Sequence, residues 1–356
     1  MKIGFFTRKI VEWYGEHHRN LPWRNTQDPY KIWLSEIILQ QTRVLQGLPY
    51  FKKFIRKYPN IKSLARAPEA EILRLWQGLG YYTRARNLHA CAKLVVKKYR
   101  GEFPSSFEEL RALPGVGDYT AAAIASFAFK KQIAVVDGNV YRVLARVFGI
   151  HMNIVTREGK KYFFDLANEQ VPVSSPDVHN QAIMEFGALH CLPQNPLCET
   201  CVLKAGCFAY QHGQQGVLPA KTKKKKPTAR YFVYFILWKD GKILMTKRNG
   251  NDIWRGLYDF PLIETKKAIG IAQINKLFRL ASSRKRNLRE LNISKEYKHV
   301  LTHQIIHARF VELPETGLKD LPQTLDVAKA QAYSLKRISR LPKPVLILRY
   351  LEGHLI

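Results

Sequence analysis

The chain has 356 residues and carries 58 lysines and arginines against 28 aspartates and glutamates, a formal net charge of +30. Its length predicts two domains, and its 46% hydrophobic and 24% charged residues exclude a wholly disordered chain. No apolar run approaches the roughly 18 to 20 residues of a membrane span, and the first residues carry no secretory signal. We therefore expect a cytoplasmic protein. The positive charge favours nucleic acid as its partner, with an anionic membrane as the weaker alternative.

Residues 1–217 are predicted to form a helical domain. Apolar residues recur there every three or four positions, which is the period of a helix with one buried face. Glycines and prolines separate the periodic segments from one another. The clearest predicted helices lie within residues 28–42, 69–80, 85–99 and 117–129.

One of these segments holds a glutamate in an apolar setting. Asp28 followed by Pro29 is typical of an N-cap and a first helical residue, and we expect this helix to run through Thr42. Glu36 lies in its middle, among tryptophan, leucine and isoleucine side chains. Burial there would raise the pKa of the carboxyl group and keep a proton available near neutral pH, as a general acid requires. The alternative is a glutamate on the solvated helix face.

Residues 113–120, LPGVGDYT, lie between two predicted helices. Gly115 and Gly117 flank Val116, and two glycines so placed allow a tight turn and a close approach of the backbone to a ligand. Their amides, together with the N-terminus of the next helix, suit a phosphate group. We interpret this segment as a helix-hairpin-helix that holds the DNA backbone. A simple glycine-rich turn is the alternative.

A second carboxylate follows a short apolar run. Asp137 comes after residues 133–136 and before Gly138, Asn139 and a predicted helix. An aspartate at such a junction is most often an N-cap. The two roles are compatible, because a capping side chain can also present its carboxylate at the mouth of a pocket.

Four of the five cysteines follow the pattern C-x6-C-x2-C-x5-C, at Cys191, Cys198, Cys201 and Cys207, while Cys91 stands alone. An odd number of cysteines in a reducing compartment argues against a disulfide framework. Four thiolates on one short loop suit a [4Fe–4S] cluster or a zinc ion, and spacing alone does not separate the two.

The composition changes after residue 217. Residues 218–229 carry lysines and prolines but few apolar side chains, which is typical of a linker. Residues 230–356 contain β-branched and aromatic runs, a turn at residues 239–241 and a predicted helix at residues 271–281. We therefore predict a mainly α protein with a smaller C-terminal α+β domain.

Six segments occur together and in order: LPWR at 21–24, SEIILQQT at 35–42, GLGYYTRARNLH at 78–89, LPGVGDYTA at 113–121, VDGNVYRVLAR at 136–146, and the four-cysteine loop. Together they closely resemble the MutY-type adenine DNA glycosylases of the helix-hairpin-helix glycosylase superfamily. The resemblance implies a bilobed helical domain with a [4Fe–4S] cluster and a C-terminal domain related to Nudix hydrolases. It also implies base excision repair, in which adenine opposite 8-oxoguanine or guanine is removed from double-stranded DNA. We also expect a monomer, and the absence of a targeting segment favours a bacterial cytoplasm with access to the nucleoid, with a nuclear protein as the alternative.

The resemblance also implies catalytic roles. Glu36 would protonate the extruded adenine, and Asp137 would stabilise the positive sugar that the leaving base creates. Tyr119 and Asn139 resemble residues that line the sugar. Glycosylases of the endonuclease III type carry a lysine nucleophile at the position of Tyr119. A phenol cannot form the imine, so a monofunctional enzyme that leaves an abasic site is expected.

Further residues are matched to DNA contacts by the same resemblance. Leu21, Trp23, Arg24 and Gln181 match the adenine pocket, although a core role is as plausible for Trp23 by residue type. Gln41 and Tyr81 match side chains that enter the base stack. Thr302 and His303 match the loop that contacts 8-oxoguanine, where Leu301 replaces the phenylalanine of the family.

Three further expectations follow. The C-terminal domain lacks the acidic cluster of a Nudix box, so pyrophosphate hydrolysis is not expected. Lys221 and Lys223 to Lys226 are candidates for phosphate contacts or merely solvated lysines. The rival functions are a pyrimidine glycosylase with lyase activity, against which Tyr119 and the second domain argue, and a catalytically silent DNA-binding protein, against which Glu36 and Asp137 argue.

Overall fold

The computed structural model describes residues 3–222, 226–250, 252–281, 291–313, 321–322 and 324–355. Contacts between residues divide the chain into two compact units, Met1–Arg66 with Asn87–Lys223, and Ala67–Arg86 with Lys224–Ile356. No helix within the described residues combines the length and the apolar character needed to cross a membrane.

Helices dominate the first half of the chain. In chain order the α-helices are α1 (Ile3–His17), α2 (Pro29–Leu39), α3 (Val44–Lys57), α4 (Ile61–Arg66), α5 (Glu69–Leu75), α6 (Thr83–Tyr99), α7 (Phe107–Arg111), α8 (Asp118–Phe129), α9 (Gly138–Phe148), α10 (Arg157–Gln170), α11 (Pro176–Leu189), α12 (Phe208–Gln211), α13 (Ile271–Ala281), α14 (Leu335–Ile338) and α15 (Val345–His354). The strands are β1 (Thr228–Lys239), β2 (Lys242–Lys247), β3 (Tyr258–Asp259), β4 (Leu262–Thr265), β5 (Asn292–Ile293), β6 (Tyr297–Val300), β7 (Gln304–Leu313) and β8 (Gln331–Tyr333).

The first unit is built from packed helices. One apolar cluster of this unit joins α1, α9, α10 and α11, with the ring of Trp13 edge-on to Phe186 at 5.0 Å. A second packing, of α2 against α8, is tied by a hydrogen bond of 3.2 Å from the Gln40 amide to the Thr120 hydroxyl. Because Glu36 lies on α2 and Tyr119 on α8, this packing brings the two side chains together.

Helix α2 begins as the sequence predicts but ends earlier. Asp28 caps it, with a carboxylate oxygen accepting the Tyr30 N–H at 2.9 Å, and Pro29 is its first residue. The predicted end at Thr42 is wrong, because the helix stops at Leu39. Gln40 leaves the helical region at ψ 115° and Gln41 adopts the left-handed region at φ 55°. Arg43 is then the N-cap residue of α3.

The second unit contains a mixed sheet with β1 at its centre. Strand β1 pairs in parallel with β7 and antiparallel with β2 and β4. Its residues 232–237 are all buried, as expected for a strand covered on both faces. The predicted hairpin turn between β1 and β2 is confirmed: Asp240 and Gly241 have φ values of 48° and 67°, the left-handed pair that a tight hairpin favours.

Residues 67–86 also belong to this second unit. An Arg86 guanidinium nitrogen donates to the Arg255 carbonyl at 2.7 Å, and the Gln77 amide oxygen accepts the Lys343 N–H at 3.2 Å. A Cβ added to Gly256 would lie 3.0 Å from a methyl group of Leu73. The segment that carries α5 is therefore closely packed within this unit.

Candidate active site

The catalytic candidate Glu36 is buried, with 6% of its surface exposed. Burial is the main cause that raises its pKa from 4.5 to about 7. A hydrogen bond from the Tyr119 hydroxyl lowers the pKa, the neighbouring Asp137 carboxyl raises it, and Arg24 lowers it. Glu36 is therefore a carboxyl group that carries a proton near neutral pH, the protonation state that a general acid needs.

Asp137 caps α9 and faces the same site. One carboxylate oxygen accepts the backbone N–H groups of Asn139 and Val140, both at 2.8 Å, and the other accepts the Asn139 amide at 2.7 Å. Burial raises the pKa of Asp137, while these hydrogen bonds and Arg142 act to lower it. The N-cap prediction for Asp137 is confirmed, and the cap holds this carboxylate in one orientation beside Glu36.

The predicted pocket residues meet in one cleft of about 570 Å³, a size typical of small-molecule sites. Apolar and polar side chains both contribute to its wall. The cleft is lined by Leu21, Trp23, Arg24, Glu36, Tyr119, Asp137, Asn139 and Gln181, among others. Leu21 and Trp23 are themselves buried, so they are core residues as well as wall residues.

The sequence analysis missed a buried ion-pair cluster in the same cleft. Glu185 on α11 binds Arg19, at 2.5 and 2.8 Å, and Arg24, at 2.7 and 2.8 Å. Burial would raise the pKa of Glu185, but hydrogen bonds from the two arginines outweigh it and lower the pKa to about 2. The available signal was a lone charge within the apolar run of α11; nothing in the sequence pairs it with residues about 160 positions earlier.

Two residues matched to DNA insertion have unusual backbones. Gln41 at φ 55° and Tyr81 at φ 47° are left-handed, a region that side chains other than glycine rarely occupy. Both side chains are exposed. Strained backbones of this kind cluster at functional sites, and here they present two polar side chains at the surface.

Thr302 and His303 lie in the exposed turn between β6 and β7. The Thr302 hydroxyl is in contact with the Tyr81 hydroxyl within the second unit. The His303 carbonyl accepts the Thr228 N–H at 3.0 Å, which fixes the turn to the start of β1. Two predicted base-contacting residues, Tyr81 and Thr302, are therefore adjacent.

The predicted hairpin connects α7 to α8. Gly115 has φ +75°, and a Cβ there would lie 2.7 Å from the Cβ of Asn87, so this glycine is required both for its conformation and for its size. Val116 is buried, whereas Gly115 and Gly117 are exposed. The short turn thus shows its backbone at the surface immediately before α8.

The four clustered cysteines line one cavity in the first unit and form no disulfides. A guanidinium nitrogen of the buried Arg146 lies 3.4 Å from the Cys191 sulfur. Burial raises the pKa of the Cys201 thiol to about 12. Within the described residues, no three His, Cys, Asp or Glu side chains are placed to hold a metal ion.

Helix α9 connects the cysteine loop to the cleft that contains Glu36 and Asp137. Arg142 donates to the Asn139 side-chain oxygen at 2.8 Å and to the Cys191 carbonyl at 2.7 Å. Arg146, one turn further, donates to the carbonyls of Leu192 and Pro193 at 2.6 and 3.1 Å. Because Asp137 caps this helix, its carboxylate and the cysteine loop are both attached to α9.

The structure describes only some of the lysines in the linker. Lys221 and Lys226 are exposed. Residues 223–225 lie outside the described residues, so the structure does not test the predicted phosphate contacts of this run.

Parts of this chain match known protein families, and the whole chain is similar to known enzymes. Residues 34–167 match the HhH-GPD superfamily of base excision DNA repair proteins, and residues 233–353 match the NUDIX domain. The adenine DNA glycosylase of Buchnera aphidicola subsp. Baizongia pistaciae is 38% identical, over 85% of this chain and 84% of that protein. The adenine DNA glycosylase of Buchnera aphidicola subsp. Schizaphis graminum is 34% identical, over 97% and 98%.

Solved structures share the fold of part of this chain. A thermostable thymine-DNA glycosylase is 33% identical with a TM-score of 0.55, over 59% of this chain and 97% of that chain. An endonuclease III bound to DNA, at 22% identity and a TM-score of 0.51, shares the fold. The two matched domains and the relatives that align over most of their length together show that this chain belongs to the adenine DNA glycosylase family and is a DNA glycosylase.

Proposed function

We propose that this enzyme excises adenine paired with 8-oxoguanine or guanine in duplex DNA and leaves an intact abasic site. The observation that carries the proposal is the pairing of a buried, proton-bearing Glu36 with Asp137 in one cleft. The names of the related enzymes support adenine as the base. The partner base is assigned from the resemblance of Thr302 and His303 to an 8-oxoguanine-contacting loop.

Glu36 supplies the proton in this mechanism. An adenine anion is a poor leaving group, so the base must be protonated, at N7 by the resemblance, as its bond to the sugar breaks. With a pKa of about 7, Glu36 holds a proton in about half of the molecules at neutral pH. Water provides the hydroxyl that joins the sugar and the proton that restores Glu36.

Asp137 stabilises the positive charge that develops on the sugar. Its carboxylate is fixed by three N–H donors from Asn139 and Val140, so it needs no reorganisation during the reaction. A preorganised anion of this kind stabilises a developing cation more strongly in a buried site than in water.

The residue at position 119 supports a monofunctional reaction. A lyase of the endonuclease III type uses a lysine amine to form an imine with the sugar. Tyr119 has no amine, and its hydroxyl is engaged with Glu36. Base removal is therefore expected without strand cleavage.

Binding to duplex DNA rests on charge and on the exposed hairpin. The net charge of +30 favours a polyanion, and residues 115–117 present their backbone next to the α8 N-terminus. Gln41 and Tyr81 are proposed to enter the base stack after extrusion of the adenine. We also propose a monomer acting on chromosomal DNA in a bacterial cytoplasm, which the bacterial relatives support.

Cys191, Cys198, Cys201 and Cys207 are proposed to hold a [4Fe–4S] cluster. Four free thiols around one cavity, with the Arg146 cation beside Cys191, fit an anionic iron–sulfur group. When bound, the cluster would cross-link the loop that Arg142 and Arg146 join to α9. Purified protein should show a broad absorption band at the blue end of the visible spectrum and about four iron atoms per chain. Stoichiometric zinc without this band would overturn the assignment.

A single-turnover assay tests the function directly. Duplexes carrying adenine opposite 8-oxoguanine, adenine opposite guanine, or thymine opposite guanine are incubated with enzyme and analysed with and without hot alkali. We expect adenine loss from the first two and strand breaks only after alkali. Breaks without alkali, or preferred release of thymine, would contradict the proposal. As a gain-of-function companion, Tyr119→Lys should permit borohydride trapping of a covalent DNA adduct.

A further inference from the structure

The apolar side chain of Leu45, at the rim of the catalytic cleft, has no function in the mechanism above. Leu45 is the second residue of α3 and is 88% exposed, the highest value among the large hydrophobic residues that the structure describes as exposed. It lines the cleft together with Arg43 and Val44. A leucine in this position leaves apolar surface in water in the free enzyme.

The surroundings of Leu45 suit the DNA base stack. Extrusion of a base opens the stack between its neighbours, and proteins that deform DNA often insert apolar side chains such as leucine between base steps. The exposed Arg43, two residues earlier, adds positive charge to the same rim, which favours binding of phosphates. Gln41, in the same connection between α2 and α3, is exposed on a left-handed backbone, so alternate residues 41, 43 and 45 are all exposed.

We propose that Leu45 is a further DNA-contacting residue, which inserts its side chain into the stack beside the gap left by the extruded adenine. The inference rests on the proposed function. It adds an apolar contact to the polar residues Gln41 and Tyr81. Burial of Leu45 against base surface would occur only in the complex with the base extruded, so the contact favours extrusion over non-specific binding.

The test compares Leu45→Ala with a matched surface control, Val173→Ala. Val173 is 77% exposed in the same unit and does not line the cleft. The target probe is a duplex with 2′-fluoro-2′-deoxyadenosine opposite 8-oxoguanine, which resists cleavage; the reference is a fully paired duplex of equal length. Leu45→Ala should weaken target binding about 10- to 50-fold and leave reference binding unchanged. Val173→Ala should leave the affinity for both duplexes unchanged. Leu45→Met, which keeps a large apolar side chain, should retain most of the wild-type affinity for the target.

A second readout follows extrusion itself. With 2-aminopurine next to the target adenine, wild-type enzyme should change the fluorescence of the reporter, and Leu45→Ala should give a smaller change at saturating enzyme. Equal target binding by Leu45→Ala and wild type would overturn the proposal, and so would an equal loss on the target and paired duplexes. Failure of the wild-type enzyme to release adenine would contradict the proposed function instead, so the two failures are distinguishable.

Discussion

Two buried glutamates line the same cleft, and their pKa values are shifted in opposite directions. Glu36 is 6% exposed and has a pKa of about 7, whereas Glu185 is 1% exposed and has a pKa of about 2. Burial raises the pKa in both places, so burial does not explain the difference. Glu36 has a phenol and a second carboxyl beside it, while Glu185 binds two guanidinium groups. The partners therefore decide which glutamate can donate a proton.

Arg24 links the two sites. It binds both oxygens of Glu185, and its charge acts on Glu36 as a lesser influence after burial, Tyr119 and Asp137. Glu185 thus holds Arg24 close to Glu36 and offsets part of the positive charge of Arg24. This arrangement allows a positively charged cleft wall to coexist with a protonated carboxyl group.

The largest effect on the single-turnover rate is expected from Glu36→Gln. The amide keeps the size of the side chain but cannot donate the proton, so the single-turnover rate should fall about 10²- to 10⁴-fold. Affinity for duplex DNA, measured by equilibrium binding, should remain within about twofold. The exposed Glu158 provides the control, since Glu158→Gln should be silent. Turnover by Glu36→Gln near the wild-type rate would contradict the acid assignment.

The pH profile separates the two glutamates without mutation. Protonated Glu36 is the active form, so activity should be highest below its pKa of about 7. It should fall about tenfold per pH unit at higher pH, reaching about 100-fold lower by pH 9. Glu185, with its pKa of about 2, stays ionised throughout and adds no step. Single-turnover rates between pH 6 and pH 9 check this, and a flat profile would be inconsistent with it.

Replacement of Glu185, whose carboxylate binds both arginines, should instead lower the stability of the fold. Glu185→Gln leaves Arg19 and Arg24 without a counter-charge in a largely buried setting. The free energy of unfolding should fall by about 2 to 4 kcal/mol, as measured by urea denaturation. The unpaired Arg24 should also shift the alkaline limit of activity to lower pH, because it lowers the pKa of Glu36. Unchanged stability would show that these ion pairs are dispensable.

The smallest change is expected from Tyr119→Phe. It removes the hydrogen bond that lowers the pKa of Glu36, so the alkaline limit of activity should move to higher pH. The rate at neutral pH should change by less than about tenfold, since one hydrogen bond is involved. Measurement of the pH profile of this variant is the check. A shift to lower pH would reverse the inferred role of the phenol.

Local features were largely predictable from neighbouring residues. The Asp28–Pro29 start of α2, the cap at Asp137 and the turn at Asp240–Gly241 each depend on a few adjacent positions, so local chemistry specifies them. The end of α2 was not predictable, because the apolar pattern gives no sign that Gln41 adopts a left-handed backbone. The catalytic and DNA-contacting roles matched to the site residues all stay predictions.

From the amino-acid sequence we could predict the helical and α+β parts, the clustered cysteines and the two carboxylates proposed as catalytic. Tertiary structure alone decided that Glu36 meets Tyr119 and Asp137, and that Glu185 meets Arg19 and Arg24. The physical reason is that pKa values depend on burial and on charges brought close by folding. Those charges come from residues about 80 to 160 positions apart, where no local pattern links them.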